Sequence, residues 1–174
     1  MKKSAKNIPV VARALKLFSL MVLMIFCVPV VTNAQGGKAN FSGTWELNSE
    51  KSNLPDTGGR RMGAGNFEVT QDANVLTVVS TRTNRDGESM TITRKYNLDG
   101  KESTNTMGRG ESKSTAKWSA DGKTLTIETT MSFNGNERKS SEVWTLKDAK
   151  TLSVNSTREG RNGEVKMALV YDKK

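Results

Sequence analysis

The residues of this 174-residue chain best suited to chemistry are three arginines and one tyrosine: Arg82, Arg94, Tyr96 and Arg158. Arg94-Lys95-Tyr96 puts a guanidinium and a phenol two residues apart, on one face of any extended strand, and such a pair suits an acidic group through charge-assisted hydrogen bonds. A carboxylate bound there needs an apolar surface for the rest of its molecule, and Trp118, Ile127, Met131, Phe133 and Trp144 offer one. The predicted ligand-binding set is therefore Arg82, Arg94, Tyr96, Trp118, Ile127, Met131, Phe133 and Trp144, and the predicted ligand a small hydrophobic or amphiphilic molecule with its acid at Arg94 and Tyr96. A guanidinium aimed into an apolar interior costs several kcal/mol unless it is paired or bound to an anion. The alternative is that these arginines sit at a rim with wet tips, or pair with Glu142.

Other chemistries lack their groups. The chain has no histidine and a single cysteine, Cys27, so imidazole bases, disulfides and the usual zinc sites are excluded. Glu137 and Glu142 show no sign of being a buried acid pair, and "GRG" and "MGAG" are too short for phosphate loops. The expectation is a protein that is not an enzyme, with no cofactor and no metal.

The elements that must carry the arginines appear as an internal repeat. "LTVVSTRTNRDGESMTITRKYNLDGK" from Leu76, "LTIETTMSFNGNERKSSEVWTLKDAK" from Leu125 and "LSVNSTREGRNGEVKMALVYDKK" from Leu152 share one plan. Each begins Leu-Thr or Leu-Ser, passes a Ser/Thr-rich stretch and a turn pair ending in glycine, and reaches an aromatic about twenty residues on. Asp86-Gly87, Asn134-Gly135 and Asn162-Gly163 are tight-hairpin turn pairs, because both positions tolerate positive φ. Two-residue turns at the last two, and a three-residue loop Arg85 to Gly87, fix the register. Leu76 then faces Tyr96, Val78 faces Arg94, Arg82 faces Met90, Met131 faces Arg138, Ile127 faces Glu142 and Leu125 faces Trp144. Leu152 and Val154 fall on the face of Met167, Leu169 and Tyr171. Weaker strands are expected near 44–48, 66–71, 102–107 and 112–118.

The start of the chain is of another kind. Lys2, Lys3, Lys6, Arg13 and Lys16 precede the apolar run "LFSLMVLMIFCVPVV", and Thr32 and Ala34 are small. Basic start, short apolar core and small-x-small end predict a secretory signal peptide over 1–34, cut after Ala34. The run is too short for a membrane span, so no stable membrane insertion is expected after cleavage, and the mature protein is placed in the periplasm or outside the cell. Five of the 27 basic residues leave with that segment, so 22 remain against 18 acids. A net charge of +4 gives little reason to expect nucleic acid as a partner. What remains, 35–174, is the size of one domain.

Eight to ten short antiparallel strands in sequence order, with no sustained helical period, predict an all-β up-and-down meander closed into a barrel, with a two-sheet sandwich as the alternative. "FSGTWEL" at the start of the first strand resembles the Gly-x-Trp motif of the lipocalins and the similar opening of fatty-acid-binding proteins, together the calycins. That resemblance implies that Gly43 permits close backbone approach and that Trp45 plugs the closed end. It extends otherwise to the meander layout alone. The chain has no lipocalin-type Thr-Asp-Tyr segment, its Arg-x-Tyr lies in an early strand, and Glu50 to Gly65 is too rich in glycine to form the helical lid of fatty-acid-binding proteins; a long flexible loop is expected there. Two functions stay open: an exported lipocalin-like carrier of a small ligand, or a packed cell-envelope module that is structural, partner-binding or inhibitory.

Overall fold

The computed structural model describes residues 37–55, 64–83, 87–107, 110–133, 135–160 and 163–174, all within the compact unit Gln35–Lys174. The expected segment 1–34 lies outside the described residues. Ten strands form one antiparallel sheet: β1 (Gly43–Leu47), β2 (Phe67–Gln71), β3 (Val75–Thr83), β4 (Ser89–Asn97), β5 (Glu102–Met107), β6 (Gly110–Trp118), β7 (Thr124–Phe133), β8 (Asn136–Asp148), β9 (Thr151–Gly160) and β10 (Gly163–Lys173). Their spatial order is β4-β3-β2-β1-β10-β9-β8-β7-β6-β5. Neighbours in sequence are thus neighbours in space, and pairing of β1 with β10 joins the two ends of the chain. A nearly closed meander barrel results, and the sandwich alternative falls, because a single continuous ladder runs through all ten strands.

One seam lacks a backbone ladder, that between β4 and β5. Alternate β4 residues direct their amides to β3, as an antiparallel ladder requires, which leaves those of Lys95 and Asn97 turned the other way. Side chains of β5 meet them. Asn105 Oδ1 accepts from Lys95 N at 2.7 Å, Asn105 Nδ2 donates to the Lys95 carbonyl at 3.0 Å, and Ser103 Oγ accepts from Asn97 N at 2.7 Å. Asn105 and Ser103 are buried, so the seam satisfies groups that would otherwise be costly to leave dry.

The expected registers appear in the ladders. Leu76 faces Tyr96, Val78 Arg94 and Arg82 Met90; Met131 faces Arg138, Ile127 Glu142 and Leu125 Trp144. In the last hairpin Gly163 is paired with Gly160 in the ladder, where a turn at Asn162-Gly163 would leave it unpaired. The change shifts the register by two residues. Because side chains alternate with period two, Leu152 and Val154 still share a face with Leu169 and Tyr171. Gly87 and Gly135 take positive φ, 85° and 74°, as their turns demand.

One end of the barrel is filled. Phe41, Trp45, Leu76, Leu125 and Leu152 are wholly buried, 0% exposed. Trp45 donates from Nε1 to the Phe41 carbonyl at 2.8 Å, with Lys173 Nζ 5.3 Å from its ring centre. Phe41 stacks on Trp118 with centroids 5.8 Å apart and meets Trp144 edge-on at 5.7 Å, while Phe67 packs on Trp144 and Tyr171. Gly43 takes φ 139°, and a Cβ there would meet the end of the Lys173 side chain and no backbone atom among its nearest neighbours. Part of the Glu50 to Gly65 segment is fastened. Asn53 N donates to the Ala168 carbonyl at 2.7 Å, Ser52 Oγ bridges to β10, and Ala64 is buried; residues 56–63 of that segment lie outside the described ones.

Candidate functional site

Along each strand the inward positions change character midway. On β3, Leu76 and Val78 give way to Ser80 and Arg82. On β4, Tyr96 is followed towards the strand start by Arg94. On β7, Leu125 and Ile127 lead to Thr129 and Met131; on β8, Trp144 leads back to Glu142, Ser140 and Arg138; on β9, Leu152 and Val154 lead to Ser156 and Arg158. Period-two alternation aims all of these inside, so the barrel has an apolar closed half and a polar half.

The polar half contains a cavity of about 710 Å³. Arg82, Arg94, Arg138, Lys139 and Arg158 line it together with Glu142, Glu159 and Glu164, and Gly160 and Gly163 place it beside the β9–β10 turn. Burial depresses the Arg82 guanidinium, and the charges of Arg94 and Arg158 add to this, so the three arginines of β3, β4 and β9 converge closely enough to repel. Glu142 counters them: its Oε1 lies 3.6 Å from Arg158 Nη2, with side chains 20% and 31% exposed, while its Oε2 accepts from Trp144 Nε1 at 3.1 Å. Arg158 Nε also donates to Ser156 Oγ at 3.3 Å. Arg94 Nε is buried and has no hydrogen-bond partner among the described residues. Burial pushes the Tyr96 phenol up to about 12, the carboxylate of Glu142 adding to this while Arg94 and Arg158 oppose it. The phenol stays protonated and available as a donor across the neutral range.

The predicted residues divide in two. Arg82, Arg94, Tyr96 and Met131 line the cavity together. Ile127 and Trp144 are not among its lining residues and belong to the packed core, with Trp118 partly buried against it. Of the residues expected to carry an apolar tail, Trp118 and Trp144 pack on Phe41, and Trp144 also on Phe67. The backbone of Phe133 ends β7, and its side chain lies outside the described residues. Glu142 pairs with Arg158, as the alternative reading of the arginines anticipates.

Sequence reasoning missed the hydroxyl wall. Ser112 and Ser114 on β6, Thr129 on β7 and Ser140 on β8 line the same cavity; Ser114 and Thr129 share a hydrogen bond of 2.8 Å, and Ser112 donates to the Asn105 carbonyl at 3.2 Å. Serines and threonines at alternate strand positions read as a solvated face, and only closure of the sheet shows that this face is inside. Among the described residues no cluster of acid side chains is suited to hold a metal ion.

No protein-family model matches the chain, and no curated protein matches it in sequence. Among solved structures it is similar to a zebrafish ileal bile acid-binding protein complexed with cholic acid, with TM-score 0.51 and 20% identity over 77% of this chain and 98% of that one. Two redesigned β-barrels also match, at TM-scores of 0.40 and 0.36, with 17% and 20% identity over 76% of this chain and 90% and 94% of theirs; the second is bound to DFHBI. The likeness to the zebrafish protein is one of fold, an antiparallel meander barrel.

Proposed function

We propose that this protein is an exported, non-catalytic carrier that holds a small acidic ligand in the polar half of its barrel. One observation carries the reading: Arg82, Arg94 and Arg158 converge with Tyr96 on a cavity of about 710 Å³, within the range of small-molecule sites. Bringing like charges together inside a barrel is unfavourable unless anions offset them, and a bound anion would add to what Glu142 supplies. The zebrafish neighbour, a barrel of the same fold, is bound to cholic acid. Export follows from the predicted cleavage after Ala34, which releases residues 35–174.

Native mass spectrometry of protein purified from the cells that produce it tests the carrier reading. A small acidic molecule should accompany the wild-type chain and be lost from Arg94→Met, which replaces the charge with a side chain of similar length. A chain that always emerges bare, and gains no mass from cell extract, would sink the carrier reading and favour a barrel working through its outer surface.

A further inference from the structure

Resting on the carrier reading, we infer that the cavity selects a hydrophilic ligand, a dianionic group on a polyhydroxylated body of the sugar-phosphate kind, over an acid with a long hydrocarbon tail. The described part of the wall points this way. Among the described residues its aliphatic side chains are Met131 and Val165; the remainder are charged or hydroxyl-bearing side chains and two glycines. An alkyl chain gains about 0.8 kcal/mol per methylene only when it leaves water for apolar surroundings. Against this wall it would also cover hydroxyl and charged groups without bonding them, which is unfavourable. The apolar half offers no substitute, because Ile127, Trp144 and their neighbours are already packed on one another.

Charge and hydrogen-bond capacity point the same way. Among the described residues the lining holds five cationic side chains and three carboxylates, an excess of two positive charges. A phosphate monoester carries about −1.5 to −2 at neutral pH and matches that excess, with oxygens for several guanidinium donors. A carboxylate beside the arginines has a use as well. Glu142 is an acceptor, and a fatty acid has nothing to donate to it, whereas a sugar hydroxyl has. Ser114 and Thr129, already joined at 2.8 Å, retain one free O–H and spare lone pairs between them. Thr129 and Ser140 are partly open, so this capacity faces the cavity.

Isothermal titration of the mature protein with glucose 6-phosphate, glucose, inorganic phosphate and dodecanoate separates the possibilities. Glucose 6-phosphate should bind at least about tenfold more tightly than each of the other three. Thr129→Val, which keeps shape and removes one hydroxyl, should weaken glucose 6-phosphate about fivefold and leave inorganic phosphate unchanged. Dodecanoate binding as tightly as the sugar phosphate, or more so, would overturn the hydrophilic selection while leaving the carrier reading intact. Equal binding of inorganic phosphate, or an unaltered Thr129→Val, would overturn the polyhydroxyl part. If no probe binds and native mass spectrometry also finds a bare chain, the carrier reading fails and this inference with it. Should Arg94→Met not fold, Arg82→Gln at the exposed mouth takes its place, and an unchanged affinity for glucose 6-phosphate would count against the charge matching.

Discussion

Asn105→Ala should open the β4–β5 seam selectively. The Asn105 side chain bonds both the amide and the carbonyl of Lys95, at 2.7 and 3.0 Å, from a position 8% exposed. Each bond contributes about 1 kcal/mol net, and leaving two backbone groups without partners in a half-dry seam adds about 1 to 2 kcal/mol more. A loss of about 2 to 4 kcal/mol is therefore expected. Urea titration measures the global part, and amide hydrogen exchange followed by NMR shows where it falls. Lys95 should lose protection by a factor of about 30 or more, the equivalent of 2 kcal/mol. Asn97, whose amide is held by Ser103 Oγ at 2.7 Å, should change far less, and Val78 and Leu125, inside continuous ladders, should change only with global stability. If Lys95 stays fully protected in the variant, or the loss is spread evenly over the barrel, the idea that side chains stand in for a missing ladder is refuted.

Trp45→Ala should destabilise the barrel by about 3 to 5 kcal/mol, since a fully buried indole is removed; near-normal denaturation would deny Trp45 its place as the plug of the closed end. Gly43→Ala should cost about 1 to 3 kcal/mol, because φ is 139° and the new methyl group must displace the Lys173 side chain; thermal unfolding checks it, and an unchanged Tm speaks against the close approach. Burial raises the phenol of Tyr96 to about 12 and that of Tyr171 further. The folded state thus holds these protons more tightly than the unfolded chain, and the stability they contribute, complete below about pH 10, is lost as the pH rises through the folded values. Tyrosinate absorbance in an alkaline titration should stay low until the chain unfolds, and half-titration near pH 10 with the fold intact would contradict it. Intact mass of exported protein should correspond to a chain beginning at Gln35; a full-length, membrane-embedded product would reject cleavage after Ala34.

The meander was legible in the sequence because its determinants are local. Glycine turn pairs and period-two alternation specify each hairpin by itself, which is why Leu76 with Tyr96 and Leu125 with Trp144 could be paired by counting. Where the turn pair misleads, at Gly163, the faces are still correct, since a shift of two residues preserves them. The convergence of Arg82 with Arg94 was legible for the same reason. What a single hairpin does not contain is what lies across the barrel. That Phe41, ahead of the first strand, caps the core against Trp118 and Trp144 is decided by closure. Closure likewise turns the serines of β6 inward, brings Glu142 to Arg158, and fills the space around Ile127 and Trp144 that an alkyl tail would need. Local sequence fixes which way a side chain points; only the packed tertiary structure decides whether it meets a neighbour or a cavity, because that depends on residues brought from strands far apart in the chain.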